Sequence, residues 1–166
     1  MKKKRTETEV PEYIFHKALK HFFGNHVKIE KAPQTVDINE GIDYFVYFPD
    51  KKYIGIDIKV RKNTNKRLTL EVEWLNKPKM AWLFGSKADY FLFTHEDVKS
   101  GGFECYLVKS TDARRLIREV PFRDRAGWID PDLSVAVVYF YEYEDLTKIG
   151  VIPKKVFIKL ETNQNP

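Results

Sequence analysis

The sequence predicts an α/β (α+β) fold in which a mixed central sheet is flanked by helices. Strands are indicated where apolar and polar residues alternate, and the segment from Tyr53 to Arg61 alternates strictly. A helix is indicated by an apolar stripe on Phe15, Leu19 and Phe22. A length of 166 residues and a hydrophobic content of 43% suit a single domain with one sizeable core.

The composition narrows the class of partner and the compartment. The net charge of +5 favours an anionic partner. The single cysteine, Cys105, excludes an internal disulfide and a four-cysteine zinc site. No apolar segment follows the basic N-terminus, and the longest apolar run, Val135 to Tyr141, is too short to cross a bilayer. We therefore expect an intracellular, cytoplasmic protein without a membrane partner.

The first elements are predicted from capping residues and alternation. Glu9 to Phe23 is predicted to be a helix, because Pro11 suits its first turn and Gly24 its end. His26 to Lys31 alternates and is predicted to be the first strand, and residues 32–41 are predicted to form a loop.

A hairpin is predicted next, from strands Asp43 to Phe48 and Tyr53 to Arg61. The segment Pro49 to Lys52 joins them as a polar turn. Because Pro and Asp serve turn geometry, we assign Pro49 and Asp50 to the turn and not to a metal site.

The predicted register of this hairpin brings polar side chains together. If Phe48 pairs with Ile54, then Asp43 lies opposite Lys59, with facing Cβ atoms about 5 Å apart. Asp57 shares the face of Lys59, because strand side chains repeat every two residues. Two carboxylates and an ammonium on an apolar hairpin are costly unless they bind something.

The remaining elements are predicted from the same signals. In chain order they are a strand from Leu68 to Trp74, a short helix from Lys77 to Gly85, strands from Ala88 to Thr94 and from Glu104 to Lys109, a helix from Ser110 to Val120, a loop from Pro121 to Ser134, and strands from Val135 to Tyr141 and from Ile149 to Lys159.

The polar residues of the hairpin suit a hard divalent cation. Mg²⁺ prefers oxygen ligands, usually one or two carboxylates together with water and phosphate oxygens. Asp43 and Asp57 would supply the carboxylates. Lys59, two residues beyond Asp57, could orient or help deprotonate a water that attacks a phosphodiester.

At these residues the chain resembles the PD-(D/E)XK nuclease superfamily. Ile42-Asp43 stands for its first motif and Asp57-Ile58-Lys59 for its second. The hairpin is most similar to that of the archaeal-type Holliday junction resolvases. The chain departs from those enzymes in Asp57, where a glutamate is usual, in an inserted strand and in a C-terminal extension.

The resemblance implies a restriction-endonuclease-like αβββαβ core and a full ligand set. Residues 9–94 would form the core of the single domain, residues 1–8 a mobile basic arm, residues 95–160 an extension and residues 161–166 a tail. Asp43, Asp57, the backbone carbonyl of Ile58 and Glu12 would hold Mg²⁺, or Mn²⁺ in its place. Glu12 would reach the metal from the first helix. Three other acids are ranked below it, and they are Glu9, Glu71 and Glu73.

Basic residues near the hairpin are candidate DNA contacts, because DNA must cross the face that carries Asp57. The candidates after the metal strand are Arg61, Lys62, Lys66 and Arg67, and those on the later helix are Arg114 and Arg115. A solvated loop or helix face would explain the same residues. Trp128 is a candidate for base stacking or for a dimer contact.

The sequence therefore leads us to expect a Mg²⁺-dependent DNA endonuclease, selective for branched DNA and acting as a homodimer. Two other classes stay open. One is a nuclease of the same superfamily that acts on linear or single-stranded DNA, such as a restriction-like or phage recombination enzyme. The other is a nucleic-acid-binding domain that keeps the fold without catalysis.

Overall fold

The computed structural model describes residues 10–61, 65–77, 80–130 and 132–161, and the elements below lie within these ranges. The helices are α1 (Glu12–Phe23), α2 (Gln34–Glu40), α3 (Trp82–Gly85) and α4 (Ser110–Glu119), followed by a 3-10 helix (Tyr143–Ile149). The strands are β1 (Lys28–Lys31), β2 (Tyr44–Tyr47), β3 (Tyr53–Arg61), β4 (Leu68–Trp74), β5 (Tyr90–Asp97), β6 (Gly102–Lys109), β7 (Asp124–Ile129), β8 (Val135–Tyr141) and β9 (Lys154–Lys159).

These strands form two sheets, and the fold is mixed α/β and rich in strands. The larger sheet has six strands in the order β1-β2-β3-β5-β6-β9, and the smaller has three in the order β4-β8-β7. Neighbouring strands are antiparallel except for the pair β3 and β5, which is parallel. A parallel pair needs a crossover, and here β4 and α3 lie within that connection.

Apolar side chains cover both faces of the larger sheet. On the face covered by α1, Ile14 and Leu19 pack with Ile56 of β3. On the opposite face, Phe91 and Phe93 of β5 pack with Leu68 and Leu70 of β4 and with α4. Since neighbours along a strand point to opposite faces, Asp57 points away from the α1 face that Ile56 occupies.

The hairpin register differs from the predicted register by two residues. Val46, and not Phe48, pairs with Ile54, so Tyr44 lies opposite Ile56. The cause is a tighter turn, in which the N–H of Phe48 donates to the carbonyl of Lys52 at 2.8 Å and Lys51 adopts a positive φ of 66°. A shift of two residues keeps every side chain on its predicted face. Asp43 now lies opposite Asp57, whereas the prediction placed it opposite Lys59.

Two predicted loops contain regular structure. The loop predicted at 32–41 holds α2, which buries no residue and therefore shows no apolar stripe in the sequence. It ends at Gly41, whose φ of 64° favours glycine. The loop predicted at 121–134 holds β7, an edge strand that is mostly exposed and lacks a clear alternation.

Other boundaries moved by a few residues. The helix predicted from Lys77 to Gly85 is one turn, Trp82–Gly85, and the strand predicted from Ala88 to Thr94 is Tyr90–Asp97. The arm at residues 1–8 and most of the tail lie outside the described residues. Within the described ranges, no helix combines the length and the apolar character that a bilayer span requires.

Candidate metal and nuclease site

Asp43 and Asp57 lie side by side where β2 begins against the middle of β3. The backbone N–H of Asp43 donates to the carbonyl of Ile56 at 2.8 Å, which continues the ladder by one residue. The N–H of Ile58 donates to Oδ2 of Asp43 at 2.5 Å. Asp57 is only 4% exposed. The hairpin thus brings two carboxylates together in a position with little water.

Burial disfavours the charged forms of both carboxylates, and the charge of Asp57 adds to this effect on Asp43. Burial, followed by the neighbouring charge of Asp57, raises the pKa of Asp43 to about 7, while the Ile58 N–H and Lys59 oppose the shift. Burial also raises the pKa of Asp57, although the ammonium of Lys59 stabilises its charged form. A cation bound between the two carboxylates would favour the ionisation of both.

Lys59 faces this pair with its ammonium group. Its Nζ lies 2.7 Å from Oδ1 of Asp57, and its side chain is 16% exposed. The same nitrogen lies 4.5 Å from the centre of the Trp82 ring, within the range of a cation–π contact. The ammonium is therefore held between a carboxylate and an aromatic face.

The crossover segment at 82–89 supports the site from one side. Ser86, which is buried, donates from Oγ to the carbonyl of Gly41 at 2.9 Å, and so holds the chain just before Asp43. Arg114 donates to the carbonyls of Leu83 and Ser86, both at 2.8 Å. Arg114, predicted as a DNA contact, is thus engaged inside the fold. Neither Ser86 nor Trp82 has a motif that would have identified it in the sequence.

Glu71 is a further acid near the lysine. It is half-buried and accepts a hydrogen bond from the backbone N–H of Trp82. Burial raises its pKa, and the nearby charges of Lys59 and Arg61 oppose that shift. Its neighbour Glu73 is exposed. Of the two glutamates on β4, only Glu71 therefore approaches the lysine.

The structure does not bring Glu12 to the carboxylate pair. Glu12 lies 3.5 Å from Lys31 and hydrogen-bonds to Tyr44, whose side chain belongs to the core on the α1 face. Asp57 points to the other face. Among the described residues, no group of three or more His, Cys, Asp or Glu side chains could hold a metal ion. Glu9 lies outside those residues.

Most of the predicted DNA contacts make contacts within the protein. Lys66 lies 2.7 Å from Asp97 and 2.8 Å from Glu104. Arg115 pairs with Glu119 at 3.4 Å and donates to the carbonyl of Ile149.

Two further predicted contacts lie at the end of β3 and just before β4. Arg61 donates to the hydroxyl of Thr69 at 2.5 Å and stays on the face of Asp57 and Lys59. Arg67, just before β4, lies 3.4 Å from Glu142 and 3.6 Å from Asp124. Lys62 lies outside the described residues.

The chain was compared with known proteins in three ways. No protein-family model, no curated protein and no solved structure matches it.

Proposed function

We propose that the protein is a Mg²⁺-dependent endonuclease that hydrolyses phosphodiester bonds in DNA. The observation that carries this proposal is the meeting of Asp43, Asp57 and Lys59 at one point of the hairpin, with the lysine 2.7 Å from one carboxylate. Such a hydrolysis needs carboxylates that bind a divalent cation and an amine that takes part in proton transfer.

The donor set fits Mg²⁺. Burial raises the pKa of both carboxylates, and a divalent cation bound between them would stabilise their charged forms. Two carboxylates are enough, since Mg²⁺ keeps several waters and takes phosphate oxygens from its substrate. The Ile58 carbonyl is a further candidate, because its N–H already points to Asp43 and both groups of a strand residue face the same side. Mn²⁺ could substitute for Mg²⁺.

The residues of this chain would divide the work. When bound, Mg²⁺ would polarise the phosphodiester and offset its charge. Lys59 would orient the attacking water and donate hydrogen bonds to the charge that develops on phosphate. Trp82 and Asp57 would hold the Lys59 ammonium in one direction, which favours a single attack geometry.

The order of elements supports the same family of reactions. The order α1, β1, β2, β3, α3 and parallel β5 is compatible with the αβββαβ order expected of PD-(D/E)XK nucleases, if α2 and β4 are taken as insertions. The likeness of the hairpin to archaeal-type junction resolvases makes branched DNA the proposed substrate. A two-fold homodimer would then cut symmetric strands of the branch.

Incubation with labelled DNA tests the proposal. A four-way junction, its duplex arms and a single strand would each be incubated with Mg²⁺ and with EDTA. We expect cleavage with Mg²⁺ only, and faster cleavage of the junction. Equal rates on junction and duplex would reject the resolvase-like assignment, and a protein inert on every DNA form with Mg²⁺ would reject the endonuclease.

A further inference from the structure

One face of the small sheet carries three aromatic side chains. Across the ladder, Trp74 of β4 and Trp128 of β7 both lie opposite Ala136 of β8, so the two indoles share a face. Phe140 lies on that same face, because it is four residues from Ala136 along β8. All three rings are half-buried. We call Trp74, Trp128 and Phe140 the aromatic face.

Each ring of the aromatic face has a cation over it. The Arg61 guanidinium lies 5.5 Å from the centre of the Trp128 ring, and Nζ of Lys77 lies 4.7 Å from the Trp74 ring. The Arg67 guanidinium lies 5.9 Å from the Phe140 ring. Aromatic surface and positive charge therefore alternate.

The aromatic face adjoins the carboxylate site. Arg61 lies two residues after Lys59 on β3, on the same side of the strand, and reaches Trp128. On β4, Glu71 lies opposite Val138, on the same face of the small sheet as Trp74 and Phe140, and it accepts a hydrogen bond from the backbone N–H of Trp82. Trp82 in turn contacts Lys59. A chain bound along the aromatic face would therefore lead to Asp43 and Asp57.

We propose that the aromatic face binds a single-stranded segment of DNA, and that it leads this segment to the carboxylates, a second step that rests on the proposed function. Unpaired bases can stack on indole and phenyl rings, and the flanking phosphates can lie beside Arg61, Arg67 and Lys77. Paired bases keep their faces inside the duplex and cannot stack in this way. A branched DNA with unpaired bases at its junction would supply such a segment.

The local charges make stacking the larger part of the binding. Lys77 is already 2.6 Å from Asp132, and Arg67 contacts Glu142 and Asp124. A bound phosphate would share Lys77 or Arg67 with these acids. Each of the two cations therefore contributes less to phosphate binding than an unpaired cation would. We therefore expect affinity to depend on the rings first and on salt second.

Fluorescence anisotropy in EDTA tests the proposal without requiring cleavage. The probe is a labelled oligothymidylate of about ten nucleotides, which has no secondary structure and suits one binding track. Trp128→Ala is expected to weaken binding about tenfold, the cost of one lost stacked base, while Trp128→Phe should keep most of the affinity. A duplex of the same length should bind more weakly to the wild type.

Phe122→Ala is the matched control. Phe122 is 41% exposed and stacks on Tyr139 at 4.3 Å, on the opposite face of the same small sheet. This variant also loses an aromatic ring and is expected to bind like the wild type. Unchanged affinity of Trp128→Ala, an equal loss in Phe122→Ala, or tighter binding of oligouridylate than of oligothymidylate would overturn the proposal.

Tryptophan emission gives a second measurement on the unaltered protein. The chain has three tryptophans, and they lie in or beside the aromatic face. Oligothymidylate should quench this emission, and the absence of quenching would overturn the proposal even if Trp128→Ala failed to fold. Binding without cleavage would reject the endonuclease alone, and cleavage without either binding effect would reject the aromatic face alone.

Discussion

Asp145 and Asp57 are almost equally buried, at 1% and 4% exposed, yet their surroundings move their pKa values in opposite directions. Asp145 accepts two hydrogen bonds from Arg123, at 2.7 and 2.9 Å, and lies 2.8 Å from Lys148. It also accepts from the N–H of Glu142 at 2.9 Å. These partners hold the pKa of Asp145 well below its usual range.

The carboxylate pair has fewer favourable partners. Among the described residues, Asp57 has Lys59 at 2.7 Å and a second acid, Asp43, beside it. The chain thus completes the hydrogen bonds and charges of a structural carboxylate and leaves those of the pair incomplete. Incomplete compensation of this kind is typical of functional sites, because the missing charge can come from a ligand.

The largest effect is expected on cleavage. Lys59→Ala and Asp57→Asn should each lower the rate on the preferred DNA by about a hundredfold or more, since proton transfer and charge stabilisation in the transition state are both lost. Single-turnover cleavage with Mg²⁺ is the measurement. Lys52→Ala, which removes an exposed lysine at the hairpin turn, serves as the control and should keep the wild-type rate. A Lys59→Ala variant as active as this control would remove the site from the mechanism.

Asp145 should instead matter for stability. Asp145→Asn leaves Arg123 and Lys148 without their carboxylate and is expected to lower the free energy of unfolding by about 2 kcal/mol. This figure is below the usual cost for a buried pair, because both cations are about half exposed and regain water. Urea unfolding at pH 7 measures it. Glu119→Gln, which breaks a surface pair with Arg115, should lower the free energy of unfolding far less. Equal losses in the two variants would contradict a structural role for Asp145.

Asp43→Asn should stabilise the metal-free protein at alkaline pH. The pKa of Asp43 is about 7 in the folded protein and about 4 when unfolded, so the folded state holds the extra proton between these values. Its contribution to stability is therefore present at low pH and is lost as the pH rises through 7. Asparagine keeps an oxygen for the Ile58 N–H and carries no charge. We expect the variant to be more stable by about 1–2 kcal/mol at pH 8 and nearly unchanged at pH 4.5.

Urea unfolding in EDTA at both pH values measures this difference. Burial also lowers the pKa of His95 to about 4, which weakens the folded state as the pH falls from 6.5. Since His95 is present in both proteins, its effect cancels when the variant is compared with the wild type. A variant that is less stable than the wild type at pH 8 would mean that the charge of Asp43 does not destabilise the folded protein.

Only part of the contrast between Asp57 and Asp145 could be predicted from the sequence. Strict alternation in β3 was enough to predict that Asp57 and Lys59 share a face, because the period of a strand is local. The predicted hairpin register was wrong by two residues. Because two is an even number, Asp43 still lies on the face of the hairpin that was predicted for it.

The packing between elements, on which two other predictions depend, could not be predicted from the sequence. Glu12 was placed in the site from its position on the helix, but α1 packs on the face that Asp57 avoids. Arg114 had the pattern of an exposed helix residue, yet its guanidinium reaches carbonyls at Leu83 and Ser86. No local pattern encodes such distant contacts. The same holds for Asp145, whose partner Arg123 lies 22 residues away.

The smallest effect expected is a thermal shift on adding Mg²⁺. A ligand that binds only the folded state at tenfold its dissociation constant adds about 1.4 kcal/mol, which raises Tm by about 3–5 °C for a chain of this size. The shift should be present in the wild type and in Asp145→Asn, and absent in Asp43→Asn. It should also shrink at pH 6, where Asp43 holds a proton that competes with the cation. A shift that persists in Asp43→Asn would mean that Mg²⁺ binds at a place other than the carboxylate pair.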